Sequence, residues 1–126
     1  MGIDEMTLGE LKEINKLFDG REVKKVVMDQ AFLNKKCIIR TYSAGVHFGE
    51  LIEKSGSEVI LKNSRRLWYW KNLCNKISLS EVANNGLHDD SKVCETVHGI
   101  WLNAIEIIPC TEKSIQNIEG QNVFQA

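Results

Sequence analysis

The sequence predicts an α+β domain: a mainly antiparallel, strongly twisted β-sheet with an N-terminal helix and short C-terminal helices. Period-two alternation of apolar and polar residues runs through the middle of the chain, which is typical of strands. Tight turns join most of these segments, and such turns favour antiparallel pairing. Helix start signals stand both before the first strand and near the last one. Together these patterns indicate the class.

The first element is a helix over residues 7–18. Thr7 and Glu10 form a capping box, apolar residues follow at helical spacing, and Gly20 ends the segment. An isolated helix of this length is marginal in water. We therefore expect residues 1–20 to pack against a partner subunit, residues 21–120 to form a single α+β ligand-binding domain, and residues 121–126 to be a loose tail.

The strands follow in the order of the chain. Arg65–Trp70 is either a short strand of its own or a continuation of the preceding strand after a bend. Ser78 and Glu81 form a second capping box, whose helix ends near Gly86, and Thr111 caps a last helix that Gly120 ends. The predicted strands are 37–41, 46–53, 58–62, 65–70, 92–97 and 100–108.

Composition excludes some function classes. The chain has 126 residues, enough for one domain, and a formal net charge of -1. Proteins that coat duplex nucleic acid are usually strongly basic, so we expect no duplex nucleic acid as a partner. No apolar run approaches the roughly 18 residues that span a bilayer. The four cysteines are scattered without a C-x-x-C pair. We expect a reduced, cytoplasmic protein with no membrane contact, metal or cofactor.

The segment Arg40–Gly49 is the first candidate ligand-binding run. Its two glycines and one alanine weaken a strand unless a bend or a close approach needs them. One interpretation is a glycine-bent edge of a twisted sheet. The other is a rim where backbone amides and Ser43 approach a phosphate or a ribose. The candidate ligand-binding residues here are Arg40, Tyr42, Ser43, Ala44, Gly45 and His47.

The segment Arg65–Trp70 is the second candidate run. In an extended strand Arg66, Trp68 and Trp70 share one face. Aromatic faces stack on bases and guanidinium groups bind phosphates, so this face suits a phosphorylated, base-containing ligand. The alternative is that the tryptophans are core and that Arg66 extends to water beside them. The candidate residues here are Arg65, Arg66, Trp68 and Trp70; Asn84 is added as an amide contact, although a helix C-terminus also explains its surroundings.

We predict no catalytic residues. His47 and His98 could act as acid or base, but no nucleophile motif flanks either one. A lone histidine beside a strand is more often a structural or ligand-contacting residue.

Three segments, Arg40–Gly49, Ser64–Trp70 and Ala104–Cys110, carry a family resemblance. The stretch from about Lys36 to Ile118 resembles the type one Thoeris anti-defence family of phage proteins. These proteins sequester signalling nucleotides and so block bacterial TIR immunity in the host cytoplasm.

The resemblance implies a homo-oligomer built from dimers, up to a hexamer, with pockets shared by two chains. These pockets would hold cyclic ADP-ribose isomers of the glyco-cyclic type without cleaving them. For some members of the family, the resemblance also implies that cyclic oligonucleotides bind at separate sites. Two alternatives remain: an enzyme acting on the same class of ligand, and a small phage module that binds protein or single-stranded nucleic acid through the aromatic strand.

Overall fold

The computed structural model of the protein describes residues 28–125. The helix predicted over 7–18, and with it the proposed oligomerisation segment 1–20, lies outside the described residues. The chain divides into two units, with the boundary after Ala31. In the described part of the first unit, the Ala31 amide donates to the Met28 carbonyl at 3.1 Å.

The second unit is built on four strands and two short helices. Each strand pairs antiparallel with the next one in the chain, and the first also pairs with the fourth, so the sheet closes on itself. This confirms the predicted α+β class. The elements in chain order are β1 (Lys36–Thr41), β2 (Val46–Ser55), β3 (Glu58–Tyr69), α1 (Leu79–Asn85), β4 (Lys92–Pro109) and α2 (Glu112–Glu119).

One of the two alternatives for Arg65–Trp70, a continuation after a bend, is confirmed, and the interruption predicted in the last strand is absent. The segments predicted at 58–62 and 65–70 are one strand, β3, which bends at Asn63 (φ 51°) without losing its neighbours. The segments predicted at 92–97 and 100–108 are likewise one strand of 18 residues, β4. Gly99 does not end β4, because its backbone still pairs with Lys62.

The centre of β1 is buried on both of its faces, which explains its apolar run. Ile38 belongs to a helix-side core, in which Phe48 and Leu67 pack against side chains of both helices, including Val82 and Ile118. The neighbours of Ile38 in β1 point the other way, since successive side chains alternate. They belong to a strand-side core formed by Cys37, Ile39, Leu51, Val59, Leu61 and Leu102.

Both helices begin as predicted. The hydroxyl of Ser78 accepts from the Glu81 amide at the start of α1, and that of Thr111 accepts from the Ser114 amide at the start of α2. The helices are tied together by the Ser114 hydroxyl, which donates to the Val82 carbonyl at 2.6 Å. None of the helices in the described part of the chain has the length and apolarity that a bilayer crossing requires.

The tail prediction is corrected over residues 121–125. The Phe124 amide donates to the Val93 carbonyl at 2.8 Å, and Val123 forms a parallel bridge with Val93. The carbonyl of Gln121 accepts from Arg65 at 2.9 Å. The tail is therefore attached to β4 at Val93 and is not loose.

We predict that Gly86→Ala lowers the free energy of unfolding by about 2 kcal/mol or more. Gly86 ends α1 at φ 103°, and a Cβ there would lie 2.4 Å from Asn117 Cγ. Urea denaturation measures the change. Gly99→Ala is the control, because its Cβ would meet nothing closer than 3.8 Å. Equal stability of the two variants would contradict the prediction.

Candidate functional site

The fold brings the two candidate runs together as neighbouring strands. In the ladder between β2 and β3, His47 pairs with Arg66 and Val46 pairs with Leu67. Residues directly opposite each other in an antiparallel pair share one face of the sheet. Phe48 points into the helix-side core, so the adjacent His47 and its partner Arg66 lie on the opposite face.

A cavity of about 260 Å³ opens at this pair and is called the His47 cavity below. His47 is buried at 1% exposure, whereas Arg66 and Glu95 are exposed. Within residues 28–125, neither the Arg66 nor the Glu95 side chain forms a hydrogen bond or an ion pair. The lining residues are His47, Ser64, Arg66, Cys94, Glu95, Val97 and Ile100.

The imidazole of His47 is fixed by a hydrogen bond of 2.8 Å between Nε2 and the Ala44 carbonyl. Because a carbonyl only accepts, Nε2 carries the proton, and in the neutral ring Nδ1 keeps its lone pair. Burial lowers the pKa of His47; the bond to Ala44 opposes this effect, and the nearby charge of Arg66 adds to it. The ring is therefore neutral near pH 7.

The glycine-containing segment is a hairpin tip between β1 and β2. The Thr41 hydroxyl donates to the Gly45 carbonyl at 2.7 Å and accepts from the Ala44 amide at 2.9 Å. Gly45 has φ 84°, which favours glycine. The Ala44 amide is thus engaged within the loop. The side chains of Tyr42 (92% exposed) and Ser43 face solvent, and the Ala44 carbonyl joins the tip to His47.

Beyond Arg66, Trp68 and Tyr69 of β3 form an aromatic cluster with Phe124 of the tail, and Lys92 of β4 lies over the rings. The rings of Trp68 and Phe124 are stacked, with centroids 5.3 Å apart and planes at 17°. Lys92 Nζ lies 5.3 Å from the ring centroid of Trp68, 5.8 Å from that of Tyr69 and 5.1 Å from that of Phe124. Trp68 is nevertheless 57% exposed.

A bulge explains why two consecutive aromatic residues are exposed. Leu67 pairs with Val93 and Tyr69 with Lys92, so two steps along β3 match one step along β4. The bulge shifts the alternation, and Trp70 packs against the helix-side core. The prediction that Trp70 shares a face with Arg66 and Trp68 is therefore wrong.

Arg65 is also removed from the candidate ligand contacts. It is 4% exposed, and its guanidinium donates to the carbonyls of Cys94, Ile118 and Gln121, each at 2.9 Å. A longer bond of 3.5 Å reaches Val93. These contacts occupy all three nitrogens, so Arg65 holds β3, β4 and the end of α2 together.

Arg40 and Asn84 lie on the other side of the sheet from the His47 cavity. Arg40 is opposite Val46, which packs against the helix-side core, and Arg40 Nε pairs with Glu106 at 3.1 Å. Asn84 is on α1, where its carbonyl accepts from the Thr111 hydroxyl at 2.6 Å. The structure does not bring either residue to the site.

Sequence reasoning missed Ser64, Glu95, Lys92 and Phe124. Ser64 stands two residues before Arg66 in the same strand, so alternation alone points to it once Arg66 is chosen. The other three reach the site through the pairing of β4 and through the path of the tail, which the sequence does not specify.

A larger cavity, of about 650 Å³, contains none of the predicted site residues. Lys35 and Lys36 line it together with Glu50, Glu112 and Glu119, and Lys36 is paired with Glu119. The carboxylates in this cavity outnumber the lysines, which is unfavourable for binding an anion. The smaller His47 cavity is therefore the better candidate for a phosphorylated ligand.

These features define a small α+β domain with a candidate anion-binding cavity on a closed antiparallel sheet. Residues 34–118 match the family described as a domain of unknown function, DUF6948, and the chain belongs to that family. No curated protein and no solved structure matches the chain.

We predict that Arg65→Ala lowers the free energy of unfolding by about 3 kcal/mol or more, because buried carbonyls lose their donors. The neighbouring change Arg66→Ala is the matched control and should stay within about 0.5 kcal/mol of the parent. Chemical denaturation followed by circular dichroism measures both. Similar losses of unfolding free energy in the two variants would contradict a structural role for Arg65.

We predict that stability falls on acidification because of His47. Its pKa in the folded state is below 6.5, its ordinary value, so the unfolded state binds more protons as the pH falls through this range. The free energy of unfolding should decrease from about pH 7.5 to about pH 5. The variant His47→Gln should flatten this decrease in stability, because glutamine does not titrate and its amide can still donate to the Ala44 carbonyl.

The exposed His98 supplies the control variant, His98→Gln. Urea titrations at each pH compare the three proteins. An unchanged slope in His47→Gln would exclude His47 as the cause.

Proposed function

We propose that this protein binds and sequesters a signalling nucleotide of the glyco-cyclic ADP-ribose type without cleaving it. In a phage-infected bacterium this would block TIR immunity of the Thoeris kind in the host cytoplasm. The observation that carries the proposal is the His47 cavity. There the guanidinium of Arg66 has no partner in the described residues. Trp68, which is exposed, follows Arg66 by two residues in the same strand.

Arg66 suits the phosphates of such a ligand. A guanidinium presents parallel N–H donors that match two oxygens of one phosphate, and bonds to an ionised acceptor are about twice as strong as neutral ones. His47 lines the same cavity with a neutral ring near pH 7, so Arg66 is the cation of this lining that can bind a phosphate.

The aromatic cluster suits the base. Trp68 follows Arg66 by two residues in β3, and its indole is exposed. Stacking on an aromatic side chain contributes roughly 1–3 kcal/mol per base. Lys92 adds positive charge beside the rings.

The size of the cavity supports an oligomeric site. Small-molecule sites usually enclose about 300–1,000 Å³, and the cavity of about 260 Å³ in one chain is below this range. A cyclic dinucleotide-sized ligand would extend beyond it. We therefore propose that a second copy completes the pocket, in a homo-oligomer built from dimers and up to a hexamer in size.

Sequestration is supported by the rigidity of the site. The His47 ring is held by Ala44, and the hairpin tip is held by its own hydrogen bonds. A rigid site complementary to the ground state binds tightly without lowering the barrier to reaction.

We predict that Arg66→Gln raises the Kd for a cyclic ADP-ribose isomer by about tenfold to a hundredfold, because a charge-assisted bond to phosphate is lost. Isothermal titration calorimetry measures the change. The control is Arg40→Gln, which also removes an exposed arginine but on the other face of the sheet. Equal affinities of the parent and Arg66→Gln would reject the site.

The fate of the ligand separates the alternatives. Heat denaturation of the complex, followed by mass spectrometry, should recover the cyclic nucleotide intact. A linear or hydrolysed product that disappears in His47→Gln would establish an enzyme. Salt-sensitive binding of single-stranded oligonucleotides with no preference for cyclic nucleotides would establish a nucleic-acid module.

A further inference from the structure

We propose that the His47 cavity is a phosphoribosyl subsite, in which Arg66 and Ser64 bind the phosphate while Glu95 and His47 accept from ribose hydroxyls. The inference rests on the proposed function and names the part of the nucleotide that each chain recognises. These four side chains line one cavity, and each has unused hydrogen-bonding capacity.

The first observation is the buried hydroxyl of Ser64. Its Oγ is buried and has no hydrogen-bond partner, and it is the one side-chain polar atom of this kind in residues 28–125. A buried hydroxyl without a partner is destabilising, by about 1–3 kcal/mol, and native structures contain few of them. Ser64 lines the cavity two residues from Arg66 on the same strand. An anion held by Arg66 would supply the missing acceptor.

The second observation is the pair of opposite charges on Arg66 and Glu95. The two residues line the same cavity, yet no ion pair joins them within the described part of the chain. A site for phosphate alone would be weakened by a carboxylate. A site for a sugar phosphate uses both groups, because ribose hydroxyls donate to a carboxylate while the phosphate accepts from a guanidinium.

His47 supplies a further acceptor. With its proton on Nε2 and that nitrogen bound to Ala44, a neutral ring offers the Nδ1 lone pair, which binds a hydroxyl and not a phosphate. The cavity therefore combines two donor groups with two acceptor groups. This combination of donors and acceptors matches a phosphate joined to a polyol.

The test measures ribose 5-phosphate, inorganic phosphate and ribose separately by calorimetry at millimolar concentration. The parent protein should bind ribose 5-phosphate at least about tenfold more tightly than either fragment, since linked groups bind together. Ribose 5-phosphate bound no more tightly than inorganic phosphate would overturn the proposal.

Two variants separate the roles. Ser64→Ala should weaken ribose 5-phosphate roughly tenfold, while its melting temperature stays equal to or above that of the parent, because a hydroxyl without a partner is removed. Glu95→Gln should weaken ribose 5-phosphate several-fold and bind inorganic phosphate as well as or better than the parent. The matched controls are Ser80→Ala and Glu53→Gln, which change exposed residues outside the cavity.

The same variants are titrated with a cyclic ADP-ribose isomer. If the parent binds this nucleotide tightly and Ser64→Ala and Glu95→Gln bind it equally well, the subsite is wrong and the proposed function stands. If the variants lose ribose 5-phosphate but the parent does not bind the cyclic nucleotide, the subsite stands and the proposed function fails.

Discussion

The guanidinium of Arg65 joins the parts of the structure on which the site depends. It binds carbonyls of β4, of the last turn of α2 and of the tail. The last carbonyls of a helix lack partners within the helix and carry partial negative charge. The last turn of α2 contains no basic residue, so this cation comes from β3. One side chain thus fixes β3 against β4, where the cavity opens.

Adjacent arginines have opposite surroundings because a strand alternates its faces. Arg65 points to the helix-side core and donates from all three guanidinium nitrogens, whereas Arg66 lines the His47 cavity. A buried arginine with several carbonyl partners stabilises local structure, while an exposed arginine without a partner in the described residues remains available to an anion. The two roles could not be assigned from the dipeptide alone.

The sequence predicted the strands and caps well, because alternation and capping are local. Ser78 and Thr111 cap their helices as expected, and Gly86 ends α1. The prediction failed where pairing decides the outcome. The bulge that turns Trp70 inward arises from the register between β3 and β4, and the burial of Arg65 depends on where α2 and the tail lie. His47 and Arg66 were candidates from two separate runs, and their pairing in the β2–β3 ladder was not predicted.

The stacking of Phe124 on Trp68 has a consequence for how the protein is handled. Any polypeptide attached after Ala126 starts three residues beyond Phe124, a member of the aromatic cluster. An affinity tag at that end would crowd the surface where a base is expected to stack, and its histidines or charges would alter the local field. A tag removed before titration leaves the indole of Trp68 undisturbed as a fluorescent reporter.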